Sequence, residues 1–277
     1  MQTDTTPGPI GIFDSGYGGL TVFKEIETKL PAYDYIYFGD NARAPYGIRS
    51  FETIYRYTLE CVRHLFGMGC KLVILACNTA SAKALRTIQQ HDLDAQGPLY
   101  RVLGVIRPTT EMIGNVTSTG HVGLVATNGT VQSNSYVVEI NKFFPDLQVF
   151  QQACPMWVPL IENNEHDSPG ADYFVEKNIN ELLQQSPRID TIILACTHYP
   201  LMLNKIRKYV PAHIRLLAQG EIVAERLVDY LHRHPEIDAV CSKNGRRTFY
   251  TTESPETFDA KARLFYNNAV HSLHFEL

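Results

Sequence analysis

One near-repeat governs what this chain can fold into. Residues 71–81 read KLVILACNTAS and residues 190–200 read DTIILACTHYP. Each is a short run of apolar, strand-forming residues that ends on a cysteine, Cys77 in the first copy and Cys196 in the second. A polar pair follows in both, Asn78-Thr79 and Thr197-His198, before a segment with helical character. Open α/β sheets bind their ligands at the carboxyl ends of the strands. The repeat therefore predicts two thiols at matching strand ends, and a site with internal symmetry.

The flanks extend the repeat. Strand-like Ile10-Gly11-Ile12-Phe13 and the turn Asp14-Ser15-Gly16-Tyr17-Gly18-Gly19 are echoed by His121–Ala126 and the turn through Thr127, Gly129 and Thr130. Leu20–Leu30 has helical spacing; its part Val22–Leu30 before Pro31 has its counterpart in Ser135–Phe144 before Pro145, and strand-like Tyr33–Phe38 in Leu147–Phe150. Agreement in series, at a nearly constant offset, marks a duplicated βα unit. The expected fold is α/β: two similar doubly wound α/β domains with parallel sheets, pseudo-two-fold related, with the active site in the cleft between them. On this reading residues 1–105 with 218–277 form the first domain and residues 106–217 the second. The chain crosses over at Gly104–Pro108 and returns at Leu216–Gly220. Phe51–Phe66 reads as a long amphipathic helix and Thr79–Gln90 as one helix after the first cysteine strand. Residues 218–277 have no counterpart; Glu221–Arg233 is helical, with Ile222, Val223, Leu227, Val228 and Leu231 on its apolar face, and Thr248–Thr252 reads as an added edge strand.

A chain of 277 residues can enclose a deep, dry pocket, and a formal charge of −4 without a basic tract argues against a nucleic-acid partner. The start, MQTDTTPGPI, has neither a basic region nor an apolar one, and no apolar run approaches a membrane span. A cytoplasmic protein without membrane association is expected. Six cysteines without CxxC spacing then predict free thiols. Cys61, Cys70, Cys154 and Cys241 read as small buried apolar residues.

Cys77 and Cys196 stand apart because each precedes a helix start, where amide N–H groups and the helix dipole favour a thiolate below the free value of about 8.5. A thiol hydrolase or lyase needs one nucleophile and a base. Two pseudo-symmetric acid/base groups approaching one carbon from opposite faces are instead what stereoinversion needs, one taking a proton and the other returning it. The one-cysteine hydrolase and a non-catalytic partner protein stay open as readings of other classes. Cys77, Cys196 and His198 lack the compact spacing of a zinc site, and Lys71 and Lys83 are Schiff-base candidates by sequence proximity alone. No metal and no cofactor are expected. Asp14, at a strand end, reads either as a helix cap or as a carboxylate that holds an amino group or moves a proton. In the loop after Phe38, Pro45-Tyr46-Gly47 could present amides and a phenol to a carboxylate.

Taken together, IGIFDSGYGGLTV, FGDNARAPYG, LVILACNTASA, GLVATNGTV, ACPMWVPLIE, ILACTHYPLM and AQGEIVAERLVDYL resemble, in this order, the glutamate racemases of the aspartate/glutamate racemase family. The resemblance implies a cofactor-independent enzyme that interconverts L- and D-glutamate and supplies D-glutamate for bacterial peptidoglycan. It implies that Cys77 and Cys196 are the paired acid/base residues, the first acting on D-glutamate and the second on L-glutamate. Asp14 would assist Cys77, while Glu162 and His198 would assist on the Cys196 side. Asp14, Ser15, Tyr46, Gly47, Asn78, Thr79, Thr130, Thr197 and His198 would bind the amino and carboxylate groups of the substrate. Members of the family are usually homodimers. The nearest alternative is an aspartate or other amino-acid racemase; relatives that prefer aspartate tend to carry Glu after the second Cys-Thr, so His198 points to glutamate.

Overall fold

The computed structural model describes residues 4–277. Among the described residues ten strands are set in two wholly parallel sheets. In chain order they are β1 Ile10–Asp14, β2 Tyr35–Gly39, β3 Leu72–Leu75, β4 Arg101–Gly104, β5 His121–Ala126, β6 Gln148–Ala153, β7 Thr191–Ala195, β8 Arg215–Leu217, β9 Arg247–Thr251 and β10 Ser272–His274. The first domain carries the six-stranded sheet β10-β9-β2-β1-β3-β4, and the second the four-stranded sheet β6-β5-β7-β8. The run β2-β1-β3-β4 has the same order as β6-β5-β7-β8, so the duplication in sequence is also a duplication of topology.

Helices cover both faces of each sheet because successive strand residues point to opposite sides. Ile10, Ile12, Tyr35 and Tyr37 share one core with Leu20 and Phe23 of helix Gly19–Lys29, Leu227 of Gly220–Arg233 and Phe258 of Pro255–Tyr266. Phe13, Ile36, Phe38, Val73 and Leu75 face the other way, against Ile54, Val62 and Leu65 of Phe51–Gly67. In the second sheet Ile192 and Leu194 meet Val175 and Ile179 of helix Pro169–Gln185, while Val122, Leu124 and Ile193 meet Tyr136 and Ile140 of Ser135–Phe143. Burial on both faces is what makes the cysteine strands read as unbroken apolar runs. Ser50 and Ser168 start their helices by accepting from Thr53 N and Ala171 N, the second with Pro169 at the first helical position.

Three local expectations change. The strand expected at 248–252 is not an edge: β9 lies between β2 and β10, and the edge is Ser272–His274, a short segment with too little apolar alternation to be read. The helix expected over 79–90 is broken. Asn78–Lys83 ends at Ala84, whose φ is −118°, and Leu85–Thr87 runs into a wider π turn at Ile88–Asp92. There the chain bends along β4, with Gln89 Nε2 donating to Val102 O at 2.7 Å. The edge strands β4 and β8 were not anticipated, since both mix charged and apolar residues. Among the described residues no helix is long and apolar enough to cross a membrane.

Candidate active site

The first domain supplies an acid and a thiol. β1 ends on Asp14, whose Oδ2 accepts from Gly16 N at 2.8 Å and whose buried Oδ1 has no hydrogen-bond partner among the described residues. It does not cap the following helix, which begins without a side-chain cap. Burial raises Asp14 above the usual carboxylate range, against the pull of His198. Cys77, two residues beyond β3, is the N-cap of Asn78–Lys83; its Sγ accepts from Ala80 N at 3.5 Å and lies 3.4 Å from Ser15 Oγ. The lowered thiol expected at this helix start is overturned. Burial, then the charge of Asp14, push Cys77 up to about 12. The dipole of a short helix contributes about 0.3–1 kcal/mol, less than the cost of ionising a group shut away from water.

The second domain supplies the other thiol and a charged pair. Cys196 follows β7 directly, with Sγ 3.9 Å from His198 Nδ1, and His198 Nε2 lies 2.9 Å from Glu162 Oε1. Glu162 closes the helix Trp157–Glu162, which is anchored by buried Trp157 edge-on to Tyr199 with ring centroids 4.8 Å apart. Burial by itself would lower His198, but Cys196 and Glu162 outweigh it and raise it to about 10. Glu162 is held low by His198 in spite of its own burial. An imidazolium between a carboxylate and a sulfur is thus the state of the Cys196 side at neutral pH. Phe265, from the C-terminal helix of the first domain, sets its ring edge-on to His198 at 5.1 Å and 80°.

Two contacts close the domains around these groups. A Cβ on Gly18 would stand 2.3 Å from both His198 Nδ1 and Thr197 Oγ1, so only glycine lets the β1 turn press on the Cys196 side. Thr21 Oγ1 adds a bond to Thr197 O at 2.8 Å. At the second contact Thr79 Oγ1 lies 3.0 Å from Thr127 Oγ1 and 3.4 Å from Thr130 Oγ1, and a Cβ on Gly129 would stand 2.9 Å from Gly47 O. Cys77 and Cys196 are each only 6% exposed, so the cleft is shut around them. A cavity of about 680 Å³ lies elsewhere along the junction, lined by Lys83, Arg86, Arg107 and Arg226 and by none of the thiol-side groups.

Of the residues expected at the site, Asp14, Ser15 and Cys77 meet on one wall, and Cys196, Thr197, His198 and Glu162 on the other. Gly47, Thr79 and Thr130 gather at the hydroxyl contact. Tyr46 departs from expectation: its ring is buried and its hydroxyl donates to Asp40, which also accepts from Arg43 Nε at 2.7 Å and Thr252 Oγ1 at 3.0 Å. A buried carboxylate needs such donors, so the phenol is committed to Asp40. The Asn78 amide bonds Tyr136 and Gln219. Lys71 bonds Asp4 and Tyr100, and Lys83 donates to Arg49 O at 2.8 Å. Among the described residues no three of His, Cys, Asp or Glu are grouped so as to hold a metal ion. Thr21, Thr127, Tyr136, Gln219 and Phe265 were not singled out from the sequence. Gln219 carried a signal, lying inside AQGEIVAERLVDYL; Phe265, in a stretch with no internal counterpart, carried none.

Comparison with known proteins agrees with this geometry. A family model described as Asp/Glu/Hydantoin racemase matches residues 10–227. The glutamate racemase of Persephonella marina is 38% identical over 268 residues, 97% of each chain. Among solved structures, a glutamate racemase isoform from Bacillus anthracis matches with a TM-score of 0.88 at 32% identity, over 98% of both chains. The glutamate racemase from Francisella tularensis in complex with D-glutamate matches with a TM-score of 0.86 at 29% identity, over 99% of this chain and 98% of that one. The chain therefore belongs to the Asp/Glu/Hydantoin racemase family, and with it to the amino-acid racemases.

Proposed function

We propose that the protein is a glutamate racemase that inverts its substrate with two cysteines and no cofactor. The carrying observation is a thiol at the same place in each of two like sheets, Cys77 after β3 and Cys196 after β7, each backed by its own acidic groups. An amino acid gives up its α-proton reluctantly, and a shut cleft with fixed partners is the setting that reaction requires.

The family resemblance assigns the first step. Cys77, pushed up to about 12, keeps its proton, while the imidazolium of His198 stands beside Cys196. By that resemblance Cys196 is the base toward L-glutamate. Its sulfur takes the α-proton, the C–H electron pair stays on the α-carbon and spreads into the carboxylate, and Cys77 returns its own proton to the opposite face. D-glutamate leaves behind a Cys77 thiolate and a Cys196 thiol, the form that runs the reverse reaction. Asp14, raised by burial, stands beside Cys77 as the carboxyl group that assists it. Ser15, the Gly47 backbone, Asn78, Thr79, Thr130 and Thr197 supply donors and acceptors to the substrate's amino and carboxylate groups.

Glutamate is preferred over aspartate on the names of the relatives, on the D-glutamate of the Francisella tularensis complex and on His198 in place of an acidic residue. The division of the chain near residues 105 and 217 belongs to the same reading. Its support is that the chain leaves the six-stranded sheet after β4 and packs back on helix Gly19–Lys29 through Gly220–Arg233. A homodimer, a cytoplasmic setting and supply of D-glutamate to peptidoglycan rest on the family resemblance.

The test is proton NMR with circular dichroism on L-glutamate in heavy water, without added cofactor, for the wild type, Cys77→Ala and Cys196→Ala. The α-proton signal and the optical activity should decay together, and either substitution should stop both. Untouched glutamate with inverted aspartate would leave the mechanism and change the substrate. Exchange that survives loss of one thiol would return the one-cysteine reading.

A further inference from the structure

Next to Cys77 in the chain, Asn78 takes part in a closed ring of three buried side chains. Gln219 Nε2 donates to Tyr136 Oη at 2.6 Å, Tyr136 Oη donates to Asn78 Oδ1 at 2.6 Å, and Asn78 Nδ2 donates to Gln219 Oε1 at 2.7 Å. Each donor serves the next acceptor in the same sense around the ring. Turning Asn78 alone would set two carbonyl oxygens face to face, turning Gln219 alone would set two amino groups face to face, and turning both would set Gln219 Oε1 against the carbonyl oxygen of Val105. Gln219 Nε2 also reaches Thr109 Oγ1 at 3.0 Å and Val105 O at 3.2 Å.

The partners come from four separate parts of the chain. Asn78 opens the helix after Cys77 in the first domain, Tyr136 belongs to a helix packed on the second sheet, Val105 follows β4 where the chain leaves the first sheet, and Gln219 follows β8 where it returns. One domain cannot rotate against the other about those two crossings and leave the ring intact. The ring also uses only one of the two Asn78 Nδ2 hydrogens, and it fixes where the other can go. Nothing else among the described contacts holds that amide.

We propose that Gln219 and Tyr136 are positioning residues of the reaction: the ring they close orients the Asn78 amide for the substrate and keeps both domains in the closed arrangement that brings the two thiols to one carbon. This rests on the racemase reading above. Gln219 and Tyr136 need not touch substrate; they act through Asn78 and through the crossings.

Gln219→Met and Tyr136→Phe each open the ring, and Gln219→Glu provides a chemical rescue. A buried glutamic acid has an O–H for Tyr136 and a C=O for Asn78, whereas its carboxylate has no donor at all. Steady-state kcat and KM for both enantiomers are measured with thermal unfolding of each protein. Either single variant should raise KM about tenfold, and the double variant should be no worse than the poorer single, because either change breaks the same ring. The KM of Gln219→Glu should fall toward wild type as pH is lowered, while that of Gln219→Met shows no such fall. A merely structural role would lower the melting temperature and leave KM and its pH profile alone, and that result would overturn the proposal. Fully additive losses in the double variant would overturn it too. Wild-type protein that fails to racemise glutamate sinks the functional reading; wild-type turnover with unchanged variants sinks only this inference.

Discussion

Gly18 shows how strictly the site is set at the scale of one residue. Its backbone conformation is open to any amino acid, with φ −58° and ψ −37°, so the requirement for glycine comes from across the cleft. A methyl group there would occupy the space of His198 Nδ1 and Thr197 Oγ1. Gly18→Ala must displace either the imidazolium from Cys196 and Glu162 or the whole β1 turn. The expected result is a loss of kcat/KM of about a hundredfold, the scale of a misplacement near 1 Å, with a small change in melting temperature. Racemisation kinetics beside thermal unfolding check it; activity within about threefold of wild type would count against the clamp. Tyr46 makes the complementary point. A phenol in a polar loop was legible, but its commitment to Asp40 was not, because the carboxylate it satisfies becomes buried only when β9 brings Thr252 alongside.

At the scale of elements, Asp34 ties β2 to the strand that extends the first sheet. Its carboxylate accepts from Ser242 Oγ at 2.6 Å, Asn244 N at 3.1 Å, Asn244 Nδ2 at 2.7 Å and Arg246 N at 2.8 Å, just before β9 begins. Burial works against the charge, yet these bonds outweigh it and lower Asp34 to about 2. A depressed carboxylate stabilises the fold above its ordinary value of 3.8 and loses that contribution as pH falls through about 2. Asp34→Ala should cost about 3 kcal/mol, a drop of roughly 6–12 °C in melting temperature, with racemisation intact at temperatures where the variant is folded. Calorimetry at neutral and acid pH checks it; the wild-type advantage should shrink toward pH 2. This link could not be read ahead of the structure, since its two halves lie about two hundred residues apart and neither is an apolar pattern.

For the whole molecule, the closed cleft makes stability depend on the charge of its contents. His198 is raised from 6.5 to about 10 by Cys196 and Glu162, against burial. A raised group stabilises the folded state fully below its unfolded value, so this contribution is complete below about pH 6.5 and is lost as pH rises through about 10. The melting temperature of the wild type should fall over that window, and His198→Asn should show a flatter profile. Melting curves from pH 6 to 10 on both proteins measure it; identical slopes would mean that His198 is not held charged in the folded state.

Read by itself, the chain determined two like βα units, strands buried on both faces, and which chemistry-bearing residues sit at strand ends. That information is local: a strand's period of two, the length of an apolar run and the residue that follows it are properties of neighbours in sequence. The tertiary structure alone decided that Phe265 covers His198, that Gln219 and Tyr136 enclose Asn78, that β10 forms the edge, and that Cys77 keeps its proton. Those outcomes depend on which surfaces dock and how completely they exclude water. The charge of Cys77 follows its enclosure rather than the helix start it happens to precede.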